Sequence, residues 1–148
     1  MQREEETALA KTLYNRCWEL LETTGRTPDE DVELVTCAFA ARHHWLAVGG
    51  PEQFVVSDWM VARAAGDVGA VALALLFAQR ANAAAEDLDG PEWLSASTAE
   101  GVARASVQCG DVDAAREWAD VAAQRIEKIT DDEDRELIAQ QLRSLHVE

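Results

Sequence analysis

Apolar residues recur every three to four positions along most of the chain, and this period predicts seven amphipathic helices. The first covers about residues 4–23, with Leu9, Leu13, Cys17 and Leu20 on one stripe and Tyr14, Trp18 and Leu21 beside it. The second carries Val32, Val35, Phe39 and Leu46, with Leu34, Ala38 and Trp45 alongside. The third, about 52–65, is apolar over most of its circumference, and the fourth, about 68–86, has no charge before Arg80, so these two are expected to form the centre. The fifth, about 92–109, repeats small residues at Ala96, Ala99, Ala103 and Ser106, which would let a neighbouring helix approach closely. The sixth, about 111–129, presents Val112, Ala115, Ala119, Ala122, Ile126 and Ile129; the seventh presents Ile138, Leu142 and Leu145. No segment alternates as a strand would.

The breaks between these segments agree with the periodicity. Pro28, Pro51 and Pro91 each stand where a helix can begin, since proline's missing donor costs nothing at the first helical position. Gly25, Gly49, Gly50, Gly66, Gly90 and Gly110 mark ends between segments. Thr27-Pro28-Asp29-Glu30 and Thr130-Asp131-Asp132-Glu133 each place a threonine three residues before a glutamate, the spacing of a reciprocal N-terminal cap. The expected fold is all-α: one domain over residues 1–148, about seven helices in stacked antiparallel hairpins.

An internal echo supports the stack. Gly66-Asp67-Val68-Gly69-Ala70 and Gly110-Asp111-Val112-Asp113-Ala114 match at four of five positions, 44 residues apart. Ala78 and Ala122 follow the glycines by twelve residues, and Trp59 precedes Gly66 by seven. This pattern resembles the tetratricopeptide (TPR) repeat over roughly residues 38–129. It departs from that repeat in its spacing, 44 against about 34, in having Gly69 or Asp113 where an aromatic belongs, and in its shifted or missing terminal proline. Arg42-His43-His44-Trp45, with Gly49, Pro51 and Asp58-Trp59, also resembles a group of bacterial TPR-like proteins, a likeness that carries over no catalytic residues.

Charge narrows the partners. Thirteen basic against 28 acidic residues give a formal net charge of −15, which works against attraction to nucleic acid or anionic lipid and leaves solubility, a basic partner or a cationic ligand. The longest uncharged apolar run, residues 68–78, is about half of the roughly 20 residues a membrane span needs. The acidic start, Met1-Gln2-Arg3-Glu4-Glu5-Glu6, lacks the form of a secretory signal, and a cytoplasmic location is the expectation. Cys17, Cys37 and Cys109 have no paired spacing and fall on apolar stripes, so they read as reduced core residues.

Candidate chemistry concentrates around the second and third helices. His43 and His44 diverge by about 100° on a helix, so one of them faces inward, and His43 falls nearer the apolar stripe. Asp58 lies on an otherwise apolar arc between Ala62 and Ala65, whereas Val56, Met60 and Arg63 fall on the outer side of that helix. A buried carboxylate needs a partner, and His43 and Arg42 are the candidates. A His43 to Asp58 pair with Trp45 and Trp59 beside it could line a small cleft; the simpler role is a hydrogen bond that fixes helix register. Helical metal signatures, nucleophile elbows and phosphate-binding glycine loops are lacking, so no cofactor and no metal are expected. Trp18, Trp93 and Trp118 are either interface anchors or core.

The expected function is a non-catalytic interaction module for a protein or peptide, with the concave side of helices one, three and five as the binding surface and a homodimer as a possible assembly. The alternative is a small-ligand-binding protein or enzyme using His43, His44, Trp45, Asp58, Trp59 and Arg63.

Overall fold

A computed structural model describes residues 1–147. The described residues form seven α-helices and no strand: α1 (Arg3–Glu22), α2 (Pro28–Val48), α3 (Pro51–Asp67), α4 (Val71–Glu86), α5 (Glu92–Gln108), α6 (Val112–Glu127) and α7 (Asp132–Arg143). No helix among them is long and apolar enough to cross a membrane.

Each helix packs on the next, and the hairpins α1–α2, α3–α4 and α5–α6 are the most closely associated pairs. The odd-numbered helices also approach one another closely, α1 to α3, α3 to α5 and α5 to α7, whereas the backbones of α2, α4 and α6 stay apart. These outer helices meet through side chains, Phe39 and Arg42 of α2 on Phe77 of α4 and Arg125 of α6 on Asn82 and Glu86 of α4. The stack therefore has an inner layer of odd helices and an outer layer of even ones.

The caps show how the sequence starts and stops these helices. Thr27 Oγ1 accepts from Glu30 N–H at 3.2 Å and Glu30 returns a carboxylate to Thr27 N–H at 3.0 Å, the expected reciprocal cap of α2. At α7 the cap is Asp131, which accepts from Asp134 N–H at 2.8 Å, and not Thr130. Thr130 donates its N–H to Glu92 at 2.9 Å, tying the approach to α7 back onto α5.

A shift of 41 residues carries α3 onto α5 and α4 onto α6, boundary for boundary. The turns coincide as well. Val68, Gly69 and Ala70 donate to the carbonyls of Ala64, Gly66 and Ala65; Cys109, Gly110 and Asp111 donate to those of Ala105, Val107 and Ser106. Gly69 and Gly110, at φ +87° and +77°, take the left-handed conformation these turns require. The structural repeat is thus 41 residues and pairs Gly110 with Gly69; Gly66, its partner in the 44-residue echo, lies inside α3. Val61-Ala62-Arg63-Ala64 recurs as Val102-Ala103-Arg104-Ala105 in this register.

The centre of the core is α3 and α5, not α3 and α4. Nine residues of α3 and ten of α5 are buried, because each is covered by its own hairpin partner and by odd neighbours on both sides. The small residues Ala96, Ala99, Ala103 and Ser106 are all buried, as close approach to α5 demands. Met60, expected outside, is fully buried; Leu34, Cys37, Ala38 and Ala41 form the buried face of α2, while Val32 and Leu46 are exposed. Each large side chain so buried contributes about 1.5–3 kcal/mol. Cys17 and Cys37 sit in the core, but Cys109 caps α5 at the surface.

Candidate functional site

The inner layer encloses a cavity of about 400 Å³. Each odd helix supplies side chains at the spacing of one helical face: Tyr14 and Trp18 from α1, Val56 and Trp59 from α3, Trp93, Leu94, Ser97 and Thr98 from α5, and Asp134, Leu137, Ile138 and Gln141 from α7. The walls are mainly aromatic and aliphatic. Trp18 and Trp59 meet with ring centroids 5.8 Å apart, tilted by 37°. Trp59 lies over Gly101, where a β-carbon would stand only 3.3 Å from the indole Cδ1, so the missing side chain lets the ring rest on α5. Burial pushes the Tyr14 hydroxyl above its ordinary pKa, partly offset by a hydrogen bond with the Trp18 side chain.

Thr98 anchors the back wall. Its hydroxyl lies 3.1 Å from Asn82 Oδ1 and 3.1 Å from the Ser95 carbonyl, and Asn82 Oδ1 also accepts from Arg125 Nη1 at 2.9 Å. Arg125 donates further to the Ser95 carbonyl and to Glu86, joining α4, α5 and α6 behind the cavity. A buried network with its members satisfied fixes the wall in one arrangement.

The residues expected to share a cleft separate onto different surfaces. Asp58 points away from the cavity, toward α2 and α4; Arg42 Nε donates to it at 2.6 Å and Arg80 Nε lies 3.6 Å away. Both guanidinium carbons stand over the Phe77 ring, at 5.5 and 5.7 Å. The carboxylate thus has arginine partners, and His43 is exposed. His44 is the inward histidine, with Nδ1 3.2 Å from Glu6 of α1. Trp45 lines a separate shallow depression with Tyr14, Glu52, Gln53 and Val56. Of the six residues proposed, Trp59 alone lines the main cavity.

Arg63 belongs to a second cluster. Glu100, fully buried, accepts from Arg104 Nη2 at 2.5 Å, and Arg63 Nε lies 3.9 Å from Asp67. Burial, reinforced by Arg104, holds the Arg63 guanidinium below its ordinary pKa. A small void lies among Trp59, Arg63, Gly101, Arg104 and Gln108.

Sequence reasoning named Trp18 and Trp93 only as possible anchors and did not bring them together with Trp59. Trp18 and Trp59 stand 41 residues apart, but a shift of 41 would carry α1 to residues 44–63 and not onto α3, and it carries Trp59 onto Glu100, so no repeat spacing in the sequence signals that the three rings meet. The cavity's described lining contains no histidine or cysteine, and its one charged side chain is Asp134, so the arrangement suits recognition by shape and apolar contact. Among the described residues, no group of three or more histidine, cysteine or acidic side chains is placed to hold a metal ion. Comparison with protein-family models, with curated proteins and with solved structures gave no match for this chain.

Proposed function

We propose that this chain is a helical-repeat interaction module without catalytic activity, which receives an apolar segment of a protein partner between α1, α3, α5 and α7. The observation that carries this reading is the convergence of three tryptophans from three inner helices on one cavity. Tryptophans so placed supply large rigid contact area and dominate many interfaces. The 41-residue repeat and the TPR-like resemblance of the sequence support it, because stacked hairpins commonly present their inner helices to a partner. At about 400 Å³ the cavity also falls in the range of small-molecule sites, so a small ligand at the same place is the second reading.

The test is capture of partners from host cytosol on the tagged chain, run beside two variants. Leu137→Glu puts a charge at the half-exposed mouth, and Leu76→Glu puts one on the outer face of α4. The expected result is a stoichiometric partner held by the native chain and by Leu76→Glu, and released by Leu137→Glu. A partner that ignores Leu137→Glu would contradict the assignment of this cavity. A dialysable ligand in place of a protein would favour the second reading.

A further inference from the structure

We infer that the cavity selects a cationic side chain, carried by its partner on flanking apolar residues. This rests on the interaction reading above and specifies what the aromatic walls recognise. Tyr14, Trp18, Trp59 and Trp93 line the cavity, and aromatic rings attract a cation set over their faces, tryptophan most strongly. Asp134 is the only acidic side chain among the described lining residues, and no lysine, arginine or histidine accompanies it. Among the described residues Asp134 has no ion-pair partner; its backbone N–H donates to Asp131 at 2.8 Å, and its half-buried side chain borders the cavity. The adjacent cation, Arg135, is committed elsewhere, donating to the Ile129 carbonyl and to Asp132.

Three kinds of occupant can be compared on these facts. An anionic group meets Asp134 and a chain of net charge −15. A wholly apolar group strips water from the Asp134 carboxylate and gives it no partner, which costs free energy. A lysine or arginine side chain supplies the missing counter-charge, lays its methylenes along the apolar wall and sets its head over the rings. Charge complementarity therefore favours the third.

The experiment uses the full chain, labelled with nitrogen-15, and two capped pentapeptides. One has the order alanine, leucine, lysine, leucine, alanine; the other replaces lysine with norleucine, which keeps the length and removes the charge. Binding is followed through the indole N–H resonances, for which Trp45 and Trp118, outside the cavity lining, are internal controls. The expected result is movement of Trp18, Trp59 and Trp93, with the lysine peptide bound about tenfold more tightly than its neutral counterpart. That preference should collapse in Asp134→Asn, whose melting temperature and unperturbed indole spectrum check that it folds. Equal or tighter binding of the norleucine peptide overturns cation selection but leaves the apolar interaction reading standing. Preference for lysine that survives Asp134→Asn overturns the role of Asp134. If neither peptide moves the three indoles, both this inference and the peptide-receptor reading fall.

Discussion

Arg63 and Arg104 stand one repeat apart, at the same position of α3 and α5, and both face the buried carboxylate region of Glu100. Among the described residues, Arg63 Nε and Nη1, Arg104 Nε and Glu100 Oε2 have no hydrogen-bond partner. Two like charges at repeat-related positions are tolerated because one fully buried carboxylate lies with them.

Removing that carboxylate deprives Arg104 of its ion-pair partner and leaves Arg63 with Asp67 alone, 3.9 Å away. Glu100→Ala is expected to cost about 3–5 kcal/mol in urea unfolding, the range for breaking a buried pair. Glu100→Leu combined with Arg104→Met should recover part of the loss, since removing both charges also removes their desolvation cost. A loss below about 1 kcal/mol in Glu100→Ala would show that the pair does not hold the α5 interior together.

The two left-handed turns make a matched prediction. Gly69→Ala and Gly110→Ala each place a side chain at positive φ, and comparable losses of about 1–2 kcal/mol are expected in thermal or urea unfolding. A large loss at one site and none at the other would argue against a common 41-residue turn.

Asp58 and His43 separate stability from exposure. Asp58→Ala leaves Arg42 without its partner and should cost about 2–3 kcal/mol, less than a fully buried pair because Arg80 and part of Arg42 reach solvent. His43→Ala should change stability by no more than about 0.5 kcal/mol. Chemical denaturation of both variants decides it; a strongly destabilised His43→Ala would contradict the arginine pairing described here.

Alkaline pH should weaken the fold through Cys17. Burial pushes its thiol from 9.0 up to about 12, so the folded chain holds the proton more tightly than the unfolded chain. The resulting stability is fully present below about pH 9 and is lost as pH rises toward 12. Melting temperatures should fall across that window, and less steeply in Cys17→Ala; an unchanged slope would remove Cys17 as the cause. At neutral pH a thiol reagent should label exposed Cys109 first.

Helix number, order and most boundaries were legible because alanine-rich periodicity, glycine turns and prolines all mark the same breaks. The centre of the fold was less so. α4 looked central from its uncharged run, yet Leu76 is about half exposed, because burial depends on which layer a helix occupies. The wheel for α2 placed His43 near Val32 and Phe39, but Val32 itself faces solvent, and His44 turns in toward Glu6. Asp58 was recognised as a carboxylate in need of a partner, with Arg42 among the candidates; the choice between Arg42 and His43 depends on the angle between α2 and α3, which periodicity does not encode. The aromatic cavity was hidden for a related reason. Its walls come from four helices distant in sequence, and the 41-residue shift that relates α3 to α5 carries Trp59 onto Glu100 and not onto Trp93.

The outer helices keep their backbones apart yet are tied by side chains: Phe39 and Arg42 of α2 meet Phe77 of α4, and Arg125 of α6 binds Asn82 and Glu86 of α4. A change in the stack's bend that widened or narrowed the inner cavity would have to strain or break those aromatic and arginine contacts. The back of the molecule thus braces its front, and the width open to an occupant is set in part by arginine links on the opposite face.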